Sequence, residues 1–186
     1  MGVAERRPRT AILRGVAEDR PDTYRFEDDG SIPNSDLPVL IYHGVGEVEG
    51  DAAACEELFD RNSWWRFWRD GIYPFHHFHS TAHEALGVVS GRATVVLGGP
   101  KKGERFELQA GDVAILPAGT GHCNEGSSGD FLVVGAYPRG QDWDLRRGDP
   151  AEHDEAVENI RRVPLPEADP VRGPDGPLLD LWRPAD

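Results

Sequence analysis

Residues 71–91 read GIYPFHHFHSTAHEALGVVSG and hold four of the seven histidines of this 186-residue chain, next to a glutamate. Histidine is the commonest metal ligand among side chains, and a carboxylate is a frequent companion. Side chains two residues apart on a β-strand point to the same face of the strand. In an extended run, His77 and His79 are therefore expected to converge, while His76 faces the other way.

The same alternation selects Glu84 over its neighbour His83. After a turn at residues 80–82, Glu84 shares its parity with Leu86 and Val88, which we expect to line the interior of a barrel. His83 has the opposite parity. We therefore predict that Glu84 points inward, and that His76 and His83 have hydrogen-bonded structural roles.

A second segment, residues 111–124, reads GDVAILPAGTGHCN and supplies another histidine. A turn at Gly111 leads into a short apolar strand, and a further turn at residues 117–119 allows His122 to approach the first pair. Cys123 has the opposite parity and is expected to act as a small buried hydrophobe. Asn124 shares the parity of His122 and could point inward to hydrogen-bond a ligand.

The two segments fit the patterns G-x5-H-x-H-x4-E-x6-G and G-x5-P-x-G-x2-H. These patterns resemble the two sequence motifs of the cupin superfamily, over residues 71–138. The run HHFHSTAHE is also similar to a branch of small bacterial single-domain cupins that is uncharacterised. The resemblance departs at one point: the family's second motif usually continues H-x3-N, whereas Asn124 follows His122 after a single residue.

The resemblance implies an all-β fold, a double-stranded β-helix (jelly-roll barrel) with short flanking helices. It also implies four metal ligands, His77, His79, Glu84 and His122. Three imidazoles and one carboxylate suit one divalent transition metal per chain, namely Fe, Mn, Ni, Cu or Zn. In an octahedral field such a set leaves positions open, which is typical of catalytic rather than structural metals. Catalytic residues stay unassigned, with His83, Asn124 and Tyr73 as candidates to assist the ligands or substrate.

The remainder of the chain divides into three predicted parts of a single domain. Residues 1–70 form an arm with helices that pack on the barrel, residues 71–138 are the barrel core, and residues 139–186 form a helix and an extended proline-rich segment. Short alternating runs separated by Gly, Pro and Ser favour a sandwich or barrel over β-α-β units.

Several flanking elements are predicted from local patterns. Residues 37–44 indicate a strand, residues 52–59 a helix capped by Asp51, and residues 64–69 a second short helix capped by Ser63. A third helix is expected over residues 149–162, with Pro150 in its first turn. The run LLDLW, residues 178–182, could dock as an edge strand or on a neighbouring subunit.

Aromatic residues are dense just before the barrel, at Trp64, Trp65, Phe67 and Trp68. Such a group could stack a substrate, but it more often packs a helix onto a sheet or onto a dimer partner. We favour packing. Together with the family resemblance, packing of these aromatic residues onto a partner predicts a homodimer.

The amino-acid composition limits which binding partners and which cellular compartment are expected. A formal charge of -13 argues against nucleic acid or an anionic membrane as partner. Two cysteines do not suggest a disulfide framework, and the N-terminus lacks the apolar core of a signal peptide. We therefore predict a cytoplasmic protein with a small-molecule substrate.

Three functions fit these residues. The first is an enzyme that uses Fe(II) or a similar metal to activate dioxygen against a small organic substrate. The second is an isomerase or decarboxylase in which Mn, Ni or Zn acts as a Lewis acid. The third is a non-catalytic protein that binds a small molecule or senses a metal. Fold alone does not separate them.

Overall fold

Two antiparallel sheets form a jelly-roll barrel in the computed structural model, which describes residues 20–183. The strands of these described residues are β1 (Asp22–Tyr24), β2 (Val39–Tyr42), β3 (Trp64–Asp70), β4 (Glu84–Ser90), β5 (Arg92–Leu97), β6 (Glu104–Gln109), β7 (Val113–Leu116), β8 (His122–Ser127) and β9 (Leu132–Pro138). The helices are α1 (Ala52–Arg61), α2 (His153–Arg162), which follows a 3-10 turn at Pro150–Glu152, and α3 (Pro177–Trp182). The predicted fold class is confirmed.

The large sheet has six strands in the order β1-β2-β7-β4-β9-β3, and the small sheet has three in the order β6-β5-β8. Alternation along the strands creates two apolar clusters, one on each face of the large sheet. The inner cluster lies between the sheets and contains Leu86 and Val88 of β4 with Val95 and Leu97 of β5. The outer cluster lies on the opposite face of the large sheet.

The outer cluster joins elements from both ends of the described chain. It contains Leu58 and Phe59 of α1, Ala85 of β4, and Leu178 and Trp182 of α3. The Trp182 indole N–H donates to the carbonyl of Pro38 at 2.9 Å. The flanking segments therefore close one face of the barrel.

Two of the motif glycines are required by the backbone. Gly91 turns the chain from β4 into β5 with φ of 70°, and a Cβ there would lie 2.7 Å from the backbone of Phe131. Gly119 has φ of 93° and lies against the backbone of Asn34. Only glycine adopts such conformations without strain at so close an approach.

The predicted helix at residues 64–69 is wrong, because this segment is strand β3 and pairs with β9. A β-bulge between Trp65 and Trp68 inserts an extra residue, with Arg66 at φ of 56°. The bulge breaks the two-residue period, so that Trp64 and Phe67 face the outer cluster and Trp68 faces the inner one. The resulting three-residue spacing of Trp64 and Phe67 on one face imitates that of a helix.

Other flanking predictions have mixed outcomes. Strand β2, helix α1 with its Asp51 cap, and the helix after Pro150 are confirmed. The edge strand predicted for LLDLW is wrong, because α3 is helical and Leu178 and Trp182 are buried in the chain's own core. The first 19 residues of the predicted arm lie outside the described part of the chain. Within residues 20–183, no helix combines the length and apolarity needed to cross a membrane.

Candidate metal centre

Three histidines from two segments meet inside the barrel. His77 and His79 lie just before β4, and His122 begins β8. An isolated β-bridge joins His77 to His122, with N–H to carbonyl distances of 2.9 and 3.2 Å. All three side chains are buried, and a nitrogen of each lies within 4.8 Å of the others. This spacing could accommodate one shared metal ion.

Glu84, at the start of β4, lies beside two of these histidines. Its Oε2 is 3.4 Å from Nε2 of His79 and 3.3 Å from Nε2 of His122. Oε2 is fully buried and has no hydrogen-bond partner in this geometry. An unsatisfied buried carboxylate oxygen is costly, which makes this atom a natural metal ligand.

Each imidazole presents the nitrogen that a metal requires. In all three rings, Nδ1 faces a backbone carbonyl, which can only accept a hydrogen bond, so we assign the proton to Nδ1. The carbonyls belong to Phe75, 3.0 Å from His77, to Thr120, 3.1 Å from His122, and to Asp144, beside His79. The Nε2 lone pairs are then free to face the centre, which is the usual arrangement of metal-binding histidines. The donor set fits a divalent transition metal.

The electrostatics of the centre favour an ionised carboxylate. Burial alone would raise the pKa of Glu84, but His79 and His122 hold it well below the usual value. Burial and the neighbouring His122 lower the pKa of His77 to about 3, which keeps that ring neutral. Burial also opposes a charge on His79, yet Glu84 and Asp144 raise its pKa above the usual value.

A hydrogen-bond chain that neither sequence motif indicates fixes the Glu84 carboxylate. The Tyr137 hydroxyl donates to Oε1 of Glu84 at 2.8 Å, and the Trp68 indole N–H donates to the same hydroxyl at 3.1 Å. Tyr137 follows Ala136, which pairs with Ala85 in the β4–β9 ladder. Tyr137 and Val133 are four residues apart on β9, so Tyr137 lies on the same face as this residue of the inner cluster. This alternation is the sequence signal that could have predicted the inward position of Tyr137.

The loop after β9 fixes His79 and the residue that follows it. The Asp144 carbonyl accepts from Nδ1 of His79, and its carboxylate accepts from the backbone N–H and the hydroxyl of Ser80, both at 2.5 Å. Arg146 donates to that carboxylate at 2.8 Å. Although burial acts in the opposite direction, Arg146 and Ser80 lower the pKa of Asp144. No local sequence pattern points to this contact, since it joins segments more than 60 residues apart.

The other histidine candidates lie away from the centre. His83 packs behind it against Trp182, at 4.7 Å between ring centroids, and its Nδ1 accepts from the Ala118 N–H at 2.9 Å. Burial lowers the pKa of His83 to about 3. His76 is half-buried and is not part of the three-histidine group.

The remaining candidates differ in their placement. Asn124 accepts from the Gly126 N–H at 2.9 Å and donates to Ser127 at 3.3 Å, so its side chain is engaged within β8. The neighbouring Cys123 thiol is buried, and burial raises its pKa. Tyr73 lines the cavity above the centre, with its ring 5.2 Å from that of His77.

A cavity of about 240 Å³ opens onto the four side chains. Its floor includes Leu86 and Tyr137 beside the centre. At its opening lie Tyr73, Trp143 and Leu145, which we call the cavity mouth. The volume lies below the roughly 300–1,000 Å³ of drug-sized sites, so the cavity suits a small molecule.

Comparisons with known proteins agree with this architecture. The family model described as a cupin domain (Cupin_2) matches residues 63–135. The uncharacterized protein YjlB of Bacillus subtilis (strain 168) is 39% identical over 166 residues, which cover 89% of this chain and 98% of that protein.

Solved structures of oxalate decarboxylases also align with the chain. A variant of Bacillus subtilis oxalate decarboxylase OxdC has 20% identity and a TM-score of 0.36, over 67% of this chain and 31% of that one. The formate complex of Lactobacillus farciminis oxalate decarboxylase has 16% identity and a TM-score of 0.35, over 78% and 42%. The chain thus spans less than half the length of these structures. With the cupin-domain match and the full-length likeness to YjlB, the chain belongs to the cupin family.

Proposed function

We propose that this protein is a metal-dependent enzyme that acts on a small organic molecule at His77, His79, Glu84 and His122. The observation that carries the proposal is the unsatisfied Oε2 of Glu84, buried among imidazoles whose Nδ1 atoms face backbone carbonyls. A cavity opens directly onto this group. A structural metal site would instead be closed by protein ligands.

The protein's own residues would bind and orient the substrate. A divalent metal held by the four side chains would supply Lewis acidity or redox chemistry. Tyr137 holds Glu84 in place through Oε1, and Asp144 holds His79 through its carbonyl. The apolar side chains of the cavity would exclude water from the reacting atoms.

Among the possible reactions, we propose oxygenation by an Fe(II)-type centre. An isomerase or decarboxylase needs a side chain that gives and takes protons at the substrate. Among the lining residues outside the four proposed ligands, the buried Tyr137 hydroxyl is engaged with Glu84, whereas Asp70 and Tyr73 are exposed side chains. Because the buried proton-transfer group among these residues is held by Glu84, we favour chemistry carried out by the metal and dioxygen.

The test is oxygen consumption by protein loaded anaerobically with Fe(II), measured across a panel of thiols, enols, catechols and keto acids. We expect uptake with at least one class, and none by the His122→Ala variant. Turnover without oxygen, supported by Mn, Ni or Zn, would instead establish the Lewis-acid enzyme. Ligand binding without turnover under any of these metals would establish a binding or sensing protein.

We also propose that the enzyme is a cytoplasmic homodimer. Both cysteines are free and buried, which supports a reducing compartment. Of the tryptophan group, Trp64 is buried in the chain's own core, whereas Trp65 on strand β3 remains 36% exposed beside the Arg66 and Arg139 guanidinium groups, which supports an interface at this face. Light scattering at several protein concentrations tests this, and a mass of one chain throughout would refute the dimer.

A further inference from the structure

Exposed apolar side chains concentrate at the cavity mouth. Five large hydrophobic residues are exposed within residues 20–183, and three of them line this one cavity. These three are Tyr73 at 51%, Trp143 at 47% and Leu145 at 43%. Grouped apolar exposure of this kind marks a binding surface rather than ordinary scatter.

The aromatic rings at the mouth are fixed by contacts with the barrel. The Trp143 ring stacks on Tyr137, with centroids 5.7 Å apart and planes 22° apart, and its edge meets His79. Tyr73 stacks on Phe75 at 4.9 Å, and the Arg147 guanidinium lies 4.1 Å from the far ring of that pair. Preformed flat faces beside both His77 and His79 offer stacking surface at a low entropic cost.

The cavity provides little positive charge of its own. Arg69 is the one Lys or Arg among its described lining residues. Its guanidinium donates twice to the Glu56 carboxylate, at 2.7 and 2.8 Å. A small dianion such as oxalate would find apolar walls here instead of arginine partners.

We infer that the ligand of this centre carries a flat conjugated ring beside its donor oxygens, and that Trp143 and Tyr73 determine this preference. The inference rests on the proposed function for the donor oxygens, which need a metal to bind. The preference for a ring depends on the side chains of the cavity mouth, so it can be measured separately from metal binding.

The experiment compares two chelators that differ in their ring. Tropolone presents adjacent oxygens on a flat conjugated ring, and oxalate presents adjacent oxygens with no ring. Their dissociation constants are measured by calorimetry on Zn(II)-loaded wild-type protein and on the Trp143→Ala, Tyr73→Ala and Trp65→Ala variants. Trp65 is the matched control, since it is a partly exposed aromatic residue that does not line the cavity.

We expect Trp143→Ala and Tyr73→Ala each to weaken tropolone binding by about three- to tenfold and oxalate binding by less than about twofold. Trp65→Ala should change neither. Equal losses for both chelators, or no loss for tropolone, would overturn the inference. Elemental analysis of each sample separates this from failure of the proposed function. If wild-type protein retains no zinc, the metal proposal fails. Tropolone binding is then measured on the metal-free protein, and if Trp143→Ala does not weaken that binding, the ring preference is overturned as well.

Discussion

The Tyr137 hydroxyl orients the Glu84 carboxylate for metal binding. The carboxylate has two oxygens in different surroundings, since Oε1 accepts from the Tyr137 hydroxyl and Oε2 faces His79 and His122. The Tyr137 hydrogen bond leaves one oxygen directed at the centre. Burial, followed by the charge of Glu84, raises the pKa of the Tyr137 hydroxyl, so it remains a donor at neutral pH.

Replacing Tyr137 by phenylalanine should weaken metal binding about 10–100-fold, because Glu84 loses the donor that orients it. The measurement is a competition titration of Zn(II) between the protein and a chelator. Tyr24→Phe is the control, because the Tyr24 hydroxyl makes an exposed hydrogen bond to Asp22 on strand β1 and does not line the cavity. An unchanged affinity in Tyr137→Phe would show that the hydroxyl does not position the carboxylate.

Proton competition at His79 should make metal binding depend on pH. The folded-state pKa of His79 lies above its usual value of 6.5, whereas that of His77 is lowered to about 3. A metal must displace the proton from His79. The apparent affinity should therefore fall about tenfold per pH unit below the raised pKa of His79, with no contribution from His77 near neutrality. Titrations at pH 6, 7 and 8 test this, and a constant affinity over that range would contradict it.

At the scale of elements, parity was the most informative signal in the sequence. It placed Glu84 on the face of Leu86 and Val88, and the structure brings these three residues to the inside of the barrel. Parity fails where a strand contains a bulge, which is why β3 resembled a helix in the sequence. In β8, whose sequence HCNEGS is polar and exposed toward its end, parity allowed an inward Asn124, but that side chain hydrogen-bonds to Gly126 and Ser127 within the strand.

The residues within each motif are close together in sequence, whereas the residues that hold them in place are distant in sequence. The run at residues 73–79 forms isolated bridges rather than a continuous strand, and its partners come from residues 122 and 146. The contact of Asp144 with Ser80 and the contact of Trp182 with His83 depend on the folded chain, and no short pattern encodes them. The sequence therefore predicts the fold and the donor residues better than it predicts what holds them.

The turn at Gly91 should be intolerant of any side chain. Gly91→Ala places a Cβ 2.7 Å from the Phe131 backbone at φ of 70° and should lower the free energy of unfolding by about 2 kcal/mol or more. Gly129→Ala is the control, because nothing lies within 4 Å of its added Cβ. Urea titration measures both, and equal stabilities would mean that the β4–β5 turn adapts.

At the scale of the whole molecule, the C-terminal segment completes the core. Asp169 accepts from the Tyr42 hydroxyl at 2.6 Å and from the Leu178 N–H at 3.1 Å, which ties the chain end to strand β2. Trp64 donates to the Ala168 carbonyl at 2.9 Å. The outer cluster thus joins residues from all three predicted parts of the chain.

Truncating Trp182 should therefore destabilise the whole barrel. Trp182→Ala empties a site that is 1% exposed and should cost about 3–5 kcal/mol of unfolding free energy in a single cooperative transition. Trp143→Ala, at the exposed mouth, should cost about 1 kcal/mol or less. Thermal and urea unfolding measure both. A separate early transition in Trp182→Ala would show that the C-terminal segment folds independently of the barrel.

We expect one divalent metal to bind at the four converging side chains. Anomalous diffraction from a crystal of the metal-loaded protein, recorded at the absorption edge of the metal, tests it most directly. We predict one peak per chain, bounded by Nε2 of His77, His79 and His122 and by Oε2 of Glu84. The absence of a peak there, or a peak held by other side chains, would show that these four side chains do not form a metal centre.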